Sequence, residues 1–255
     1  MIYQARFPSP PLGNFVEQLW LFRGRVGTPH ERERLLPAGT MEIVFDLGAP
    51  TDNALLVGIH SGFHVIDTSV DTAVLGVHFK PGGAFPFLGI PSRELHGQCI
   101  PLEILWGRNS ELLRERLLAA ADDGVRFSLM EQALLARLRG PLQHHRAVDF
   151  ALIALRDGRT PIRALADRIG ISQTRLIQLF DAEVGLTPKK FARVRRFQRA
   201  LRMVHPLQEV DWSDVALSCG YFDQAHLSNE FRTFSGYSPT AYLERRTPHL
   251  NHLPA

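Results

Sequence analysis

At 255 residues the chain is long enough for two ordinary domains, each burying its own core. Its 45% hydrophobic and 22% charged residues are those of a folded globular protein, and no run of 18 apolar residues is present to cross a membrane as a helix. The net charge of +3 is unevenly spread: residues 1–150 carry 14 Lys and Arg against 16 Asp and Glu, whereas 151–255 carry 15 against 10, so basic charge gathers where a polyanion would need it. Met1 to Pro11 has no basic segment followed by an apolar run, so no signal peptide is expected. Two lone cysteines, Cys99 and Cys219, without CxxC or Cys/His zinc spacing, fit a reducing cytoplasm.

In chain order, the first apolar run, Phe15 to Phe22, is too short to assign to helix or strand. Pro37-Ala38-Gly39-Thr40 reads as a turn, followed by a β-rich run from Met41 to Gly48. Leu55 to Ile59, Phe63 to Ile66 and Ala73 to Lys80 read as further short strands, the last stopped by Pro81-Gly82-Gly83. This punctuation predicts a small antiparallel β-barrel-like sheet. From Pro101 the pattern turns helical: Asn109 or Ser110 is placed to cap a helix through Leu112, Leu113, Leu117 and Leu118, and a second runs from Phe127 to Leu138. The domain boundary is expected near Gly140-Pro141-Leu142-Gln143-His144-His145, giving an α+β domain over 1–140 and an all-α domain over 141–255.

Three residues of the first domain stand out as a candidate effector pocket: Trp20, Glu42 and His78. Glu42 within an apolar strand has three readings: a partner for a buried Arg, a group facing a ligand, or a carboxylate on the polar face of a half-buried strand. Phe22, Phe79, Phe85, Phe87 and Trp106 are candidates for the same pocket or for plain core. His60, His64 and His78 lie on or near strands, but the close His-x-His with a following Glu that a metal-binding barrel uses is missing, so no metal is expected.

The C-terminal hundred residues hold one pattern twice. Ala166/Ala216 and Gly170/Gly220 match at a spacing of 50, and Leu176/Leu227, Phe180/Phe231, Gly185/Gly236, Pro188/Pro239 and Phe191/Tyr242 match at 51, so one residue is inserted in the second turn. Small Ala lets one helix cross closely over another, and Gly ends the first helix in the left-handed conformation. Ser172 and Asp223 stand where they can cap the second helices. Leu176 with Phe180, and Leu227 with Phe231, lie four apart on one face. Each copy is therefore a helix-turn-helix, at about 162–181 and 212–232. The outward positions are Gln173, Thr174, Arg175 and Gln178 in the first copy, and Gln224, His226, Ser228 and Asn229 in the second. These types hydrogen-bond base edges. Lys189, Lys190, Arg193 and Arg196 follow the first unit and are candidates for the DNA backbone.

From about Arg146 to Arg246, these repeats, the linking stretch Phe191 to Leu201 and the closing Gly236-Tyr237-Ser238-Pro239-Thr240-Ala241-Tyr242 resemble the DNA-binding domain of the AraC/XylS family of bacterial transcription regulators. The resemblance implies that both second helices enter adjacent major-groove segments on one face of a duplex. Pro37 to Phe45 and Gly76 to Ala84 are similar to an uncharacterised sensor-like domain found ahead of some such modules, which implies regulation without naming an effector. The expected function is a cytoplasmic, sequence-specific transcription regulator. Its expected partners are double-stranded operator DNA, a small-molecule effector, a second copy of the chain as a homodimer, and RNA polymerase if the regulator activates. No cofactor, catalysis or membrane is expected: there is no nucleophile elbow, P-loop, dinucleotide fingerprint or zincin motif. Two competing readings stay open: a small-molecule- or metal-binding enzyme domain with a helical appendage, and a DNA binder without effector whose first domain only dimerises.

Overall fold

The computed structural model describes residues 2–24, 32–49, 54–68, 72–138, 142–156, 158 and 160–255. Strands β1 (Ile2–Arg6), β2 (Val16–Gly24), β3 (Arg32–Leu35), β4 (Glu42–Asp46), β5 (Ala54–Val57), β6 (His64–Asp67), β7 (Thr72–Phe79) and β8 (Cys99–Pro101) build the N-terminal part. Six of them form an antiparallel sheet in the order β1-β2-β7-β4-β5-β8. The sheet is open among the described residues, with β1 and β8 as its edges rather than a closed barrel. Of the run Phe15 to Phe22, all but Phe15, which ends a short turn, lies in β2, paired on both sides to β1 and to β7.

Alternation decides which face is buried. Leu19, Leu21, Ile43, Phe45, Leu56, Leu75 and Val77 are at most 1% exposed and form one core with residues of the helices that follow. Those helices are α1 (Phe85–Leu88), α2 (Glu103–Trp106), α3 (Arg108–Ala119) and α4 (Asp123–Arg137). Neither expected cap acts on α3: it starts at Arg108, ahead of Asn109 and Ser110, with Gly107 at the cap position. Ser110, already inside the first turn, donates its hydroxyl to the Gly107 carbonyl instead. Phe79, Phe87 and Trp106 are buried, and Phe79 meets Phe87 at 5.6 Å, so these aromatics are core.

The C-terminal part is α5 (Arg146–Ala154), α6 (Ile162–Ile169), α7 (Gln173–Val184), α8 (Pro188–Val204), α9 (Trp212–Cys219), α10 (Gln224–Ser235) and α11 (Pro239–Arg245). The expected boundary falls partly on 139–141, outside the described residues. One feature departs from an all-helical segment: the chain ends in β9 (His252–Pro254), which returns to pair with β3 in a separate sheet of order β6-β3-β9. Among the described residues no helix is long and apolar enough to cross a membrane.

Candidate nucleic-acid interface

The two helix-turn-helix units, α6–α7 and α9–α10, are built by the same local physics. Gly170 and Gly220 end the first helices at φ +78° and +79°, a conformation that a Cβ disfavours. The amides after them, Ile171 and Tyr221, donate to the carbonyls of Ala166 and Ala216. Ser172 Oγ accepts from the Arg175 amide at 3.1 Å, and Asp223 Oδ1 accepts from the His226 amide at 2.7 Å. Each cap satisfies a donor that the helix itself leaves free. The inserted residue of the second turn is Phe222, which stands between Tyr221 and the cap Asp223 and is 92% exposed.

Inside, the repeat is equally close. Leu176, Phe180, Leu227 and Phe231 are fully buried, as are Ala166 and Ala216 within 2%. Phe180 meets Phe191 edge-on at 5.4 Å and 63°, and Phe231 meets Tyr242 at 5.7 Å and 71°. The same aromatic pair thus locks each second helix to the helix after its Gly-x-Thr/Ser-Pro turn. Burial pushes the Tyr242 hydroxyl up to about 12 against the opposing charge of Arg246, so it stays protonated.

On the outer faces, Gln173, Thr174, Arg175 and Gln178 of α7 and Gln224 and Asn229 of α10 are exposed. The side chains of Thr174, Arg175 and Gln178 have no hydrogen-bond partner among the described residues. His226 and Ser228 are half-buried. The His226 ring accepts from the Phe222 amide and lies edge-on to Tyr221 at 5.3 Å, so it also braces the turn. Gln224 accepts a hydrogen bond from the Ser213 hydroxyl at 3.3 Å.

The four basic residues after the first unit divide into two kinds. Lys189 and Lys190 are exposed. Arg193 donates twice to Glu230 of α10, at 2.9 and 2.6 Å, and lies over the Phe234 ring. Arg196 stacks on Tyr221 at 4.9 Å and donates to the Gly220 carbonyl. Both arginines therefore fasten α8 to the second unit, a role that basic residue type alone does not reveal. Their outer atoms still line a cleft of about 530 Å³ between the units, with Lys189, His226, Thr160 and Ile162.

In the N-terminal sheet, Trp20, Glu42 and His78 come together on the less buried face. Glu42 and His78 are register partners on β4 and β7, and Glu42 hydrogen-bonds His78 Nδ1 while Thr40 lies 3.4 Å from His78 Nε2. The partner of Glu42 is thus a histidine, not an arginine. Burial works against the His78 imidazolium, but the Glu42 hydrogen bond and charge, with Glu17, outweigh it and raise its pKa. Trp20 faces Gly76 across β2 and β7, where a β-carbon would overlap the indole. Among the described residues no group of three His, Cys, Asp or Glu can hold a metal.

A helix-turn-helix domain model matches residues 165–245, and a model described only as a domain of unknown function, DUF6597, matches residues 4–101. The probable transcriptional regulator LumQ of Photobacterium leiognathi is 32% identical over 72 residues, 28% of this chain and 29% of that protein's length. The chain therefore spans under a third of that relative in the match. Among solved structures, the C-terminal domain of AraT, a response regulator from Geobacillus stearothermophilus, is similar at 18% identity and a TM-score of 0.39, covering 42% of this chain and 91% of that one. ToxT from Vibrio cholerae is similar at 8% identity and a TM-score of 0.40, covering 95% and 96%.

Proposed function

We propose that this chain, which carries an AraC-type helix-turn-helix domain behind a domain of unknown function, is a transcription regulator that reads operator DNA with α7 and α10. The observation that carries the reading is the doubled geometry. Two capped helices, built on matching turns, each present hydrogen-bonding side chains outward from a closed apolar base. Arg175, Gln173, Thr174 and Gln178 read one major-groove segment, and Gln224, Asn229, His226 and Ser228 the next. Lys189 and Lys190, with the free N–H groups at the starts of α7 and α10, meet phosphates and supply most of the affinity. Arg193 and Arg196 offer the cleft only the part of their charge that Glu230 and Tyr221 leave accessible. No catalytic step is assigned to the chain.

The N-terminal domain, on this reading, takes a small-molecule effector or a second copy of the chain. The clustering of Trp20 with the Glu42–His78 pair on one sheet face favours the effector, because it joins an apolar ring to a paired donor and acceptor. Binding of the full chain to genomic fragments, its own promoter among them, at two salt concentrations tests the function. Selective binding that weakens with salt is expected. Equal, weak binding to every fragment contradicts it.

A further inference from the structure

The two reading helices end on the same domain. Each unit closes on a left-handed glycine, Gly185 at φ +86° and Gly236 at φ +76°, which are equivalent positions of the repeat. Both are pressed against the N-terminal domain. A β-carbon at Gly185 would lie 2.8 Å from Ile59 and 2.9 Å from the Ser92 carbonyl, and one at Gly236 would lie 2.9 Å from the Phe63 ring and overlap Arg34. Ile59 and Phe63 sit four residues apart in the loop between β5 and β6, so one loop touches both units.

The last turns are held as well. A helix leaves its final carbonyls without partners and its C-terminus partly negative. The buried Ser92 hydroxyl donates to the Glu183 carbonyl near the end of α7, at 2.8 Å. The Arg34 guanidinium donates to the Ser235 carbonyl at the end of α10, at 3.2 Å, from between the rings of Phe63 and Tyr237. A third contact fixes the helix that joins the units. Gly39 packs on Phe191 and Val194 of α8, and Gln198 donates to the Pro37 carbonyl at 2.9 Å.

The contacts form a closed triangle. The units are tied to each other through α8, and again through the N-terminal domain. α8, held to α7 by Phe180 and Phe191 and to α10 by Arg193 and Glu230, is one connection between the units, and the N-terminal domain adds a second in parallel. We infer that Arg34, Phe63 and Ser92 are positioning residues for DNA reading: they clamp the ends of α7 and α10 and so fix the spacing of half-sites that the protein accepts. This rests on the reading that both helices enter DNA. It gives the N-terminal domain a part in choosing the operator, whether or not it binds an effector.

The test uses the full chain and a site selected for it from random-sequence DNA, together with that site lengthened or shortened by one base pair between its half-sites. The intact protein should lose at least tenfold in affinity on either altered site. Arg34→Ala and Phe63→Ala should cut that penalty to threefold or less while keeping the full penalty for a base change within a half-site. Arg34→Lys, which keeps a donor and a charge, should restore most of the spacing penalty. Ser92→Ala makes the same test at the first unit with a change too small to prevent folding, which circular dichroism checks for every variant. Folded variants that keep the tenfold spacing penalty overturn the clamp and leave the DNA reading intact. Failure of the intact protein to select any site overturns both.

Discussion

Arg193 on α8 and Glu230 on α10 form an ion pair in which one carboxylate oxygen accepts two guanidinium donors, at 2.9 and 2.6 Å. Glu230 is only 5% exposed, so the pair holds a buried charge in place between α8 and α10. Arg193→Ala would leave that carboxylate without its cation. It is expected to lower stability by about 1–3 kcal/mol, the range for a lost charge-assisted bond at a partly exposed site. Urea denaturation checks this. Unchanged stability would mean that the pair does not help hold α10 against α8.

Lys189 and Lys190 make the opposite case. Both are exposed at the start of α8, where the Lys190 amide donates to the Thr187 cap. Lys189→Ala should leave stability alone and weaken cognate and random DNA alike, flattening the dependence of log affinity on log salt by about one unit. Arg175→Ala should instead lose about 1–3 kcal/mol on the cognate site relative to random DNA, because a base-reading bond carries sequence information and a phosphate bond does not. Fluorescence anisotropy titrations at several salt concentrations separate the two. If both variants lost equally on both DNAs, α7 would not be reading bases.

Phe222 is the extra residue of the second turn, and 92% of it faces solvent at the entrance of α10. An exposed ring there has no role in the core. At the edge of a major groove it would meet a thymine methyl, an apolar contact that contributes to discrimination. Phe222→Ala is expected to leave the melting temperature unchanged and to erase preference for thymine over uracil at one position of the selected site. Retained preference at every thymine would remove Phe222 from the interface.

Acid should loosen the loop that carries Ile59 and Phe63. His60 stacks on His64 at 4.4 Å, and His96 bonds Ser61 at 3.1 Å. Burial first, then the charges of His64 and His96, holds the His60 pKa down to about 4 from 6.5. Burial also lowers those of His64 and His96. The unfolded chain takes these protons before the folded one, so their contribution to stability is complete above about pH 6.5 and is lost as pH falls from there towards about 4. His78, with its raised pKa, acts in the opposite sense: its contribution is present below 6.5 and fades as pH rises through the folded value. Comparing wild type with His60→Asn isolates the first effect. The variant should show a shallower loss of stability between pH 6.5 and 4, and an identical pH profile would contradict it.

Much of the C-terminal architecture was legible because it repeats. Two copies of a Gly-ended helix, a cap and a Leu/Phe pair over-determine each turn, so local spacing reveals the units before any tertiary contact is known. The strands β4 to β7 were legible from their Gly and Pro punctuation, though not that β6 would pair with β3 in a second sheet. The edge strands were not. β1 is exposed along most of its length, so alternation leaves no mark, and β9 is three residues defined only by its partner β3, some 220 positions earlier. The division among basic residues was also hidden, because it depends on where Glu230 and Tyr221 stand relative to α8. The insertion in the second turn was visible as a change of spacing from 50 to 51, but only the folded turn identifies Phe222 as the residue pushed outward.

Footprinting of the full chain on its selected site shows whether α7 and α10 both enter the DNA. Two reading helices in successive major-groove segments predict two protected patches on one face of the duplex, centred about 10 base pairs apart. They also predict loss of one patch in Arg175→Ala and of the other in Asn229→Ala. A single protected turn, or protection that ignores both substitutions, would contradict the account.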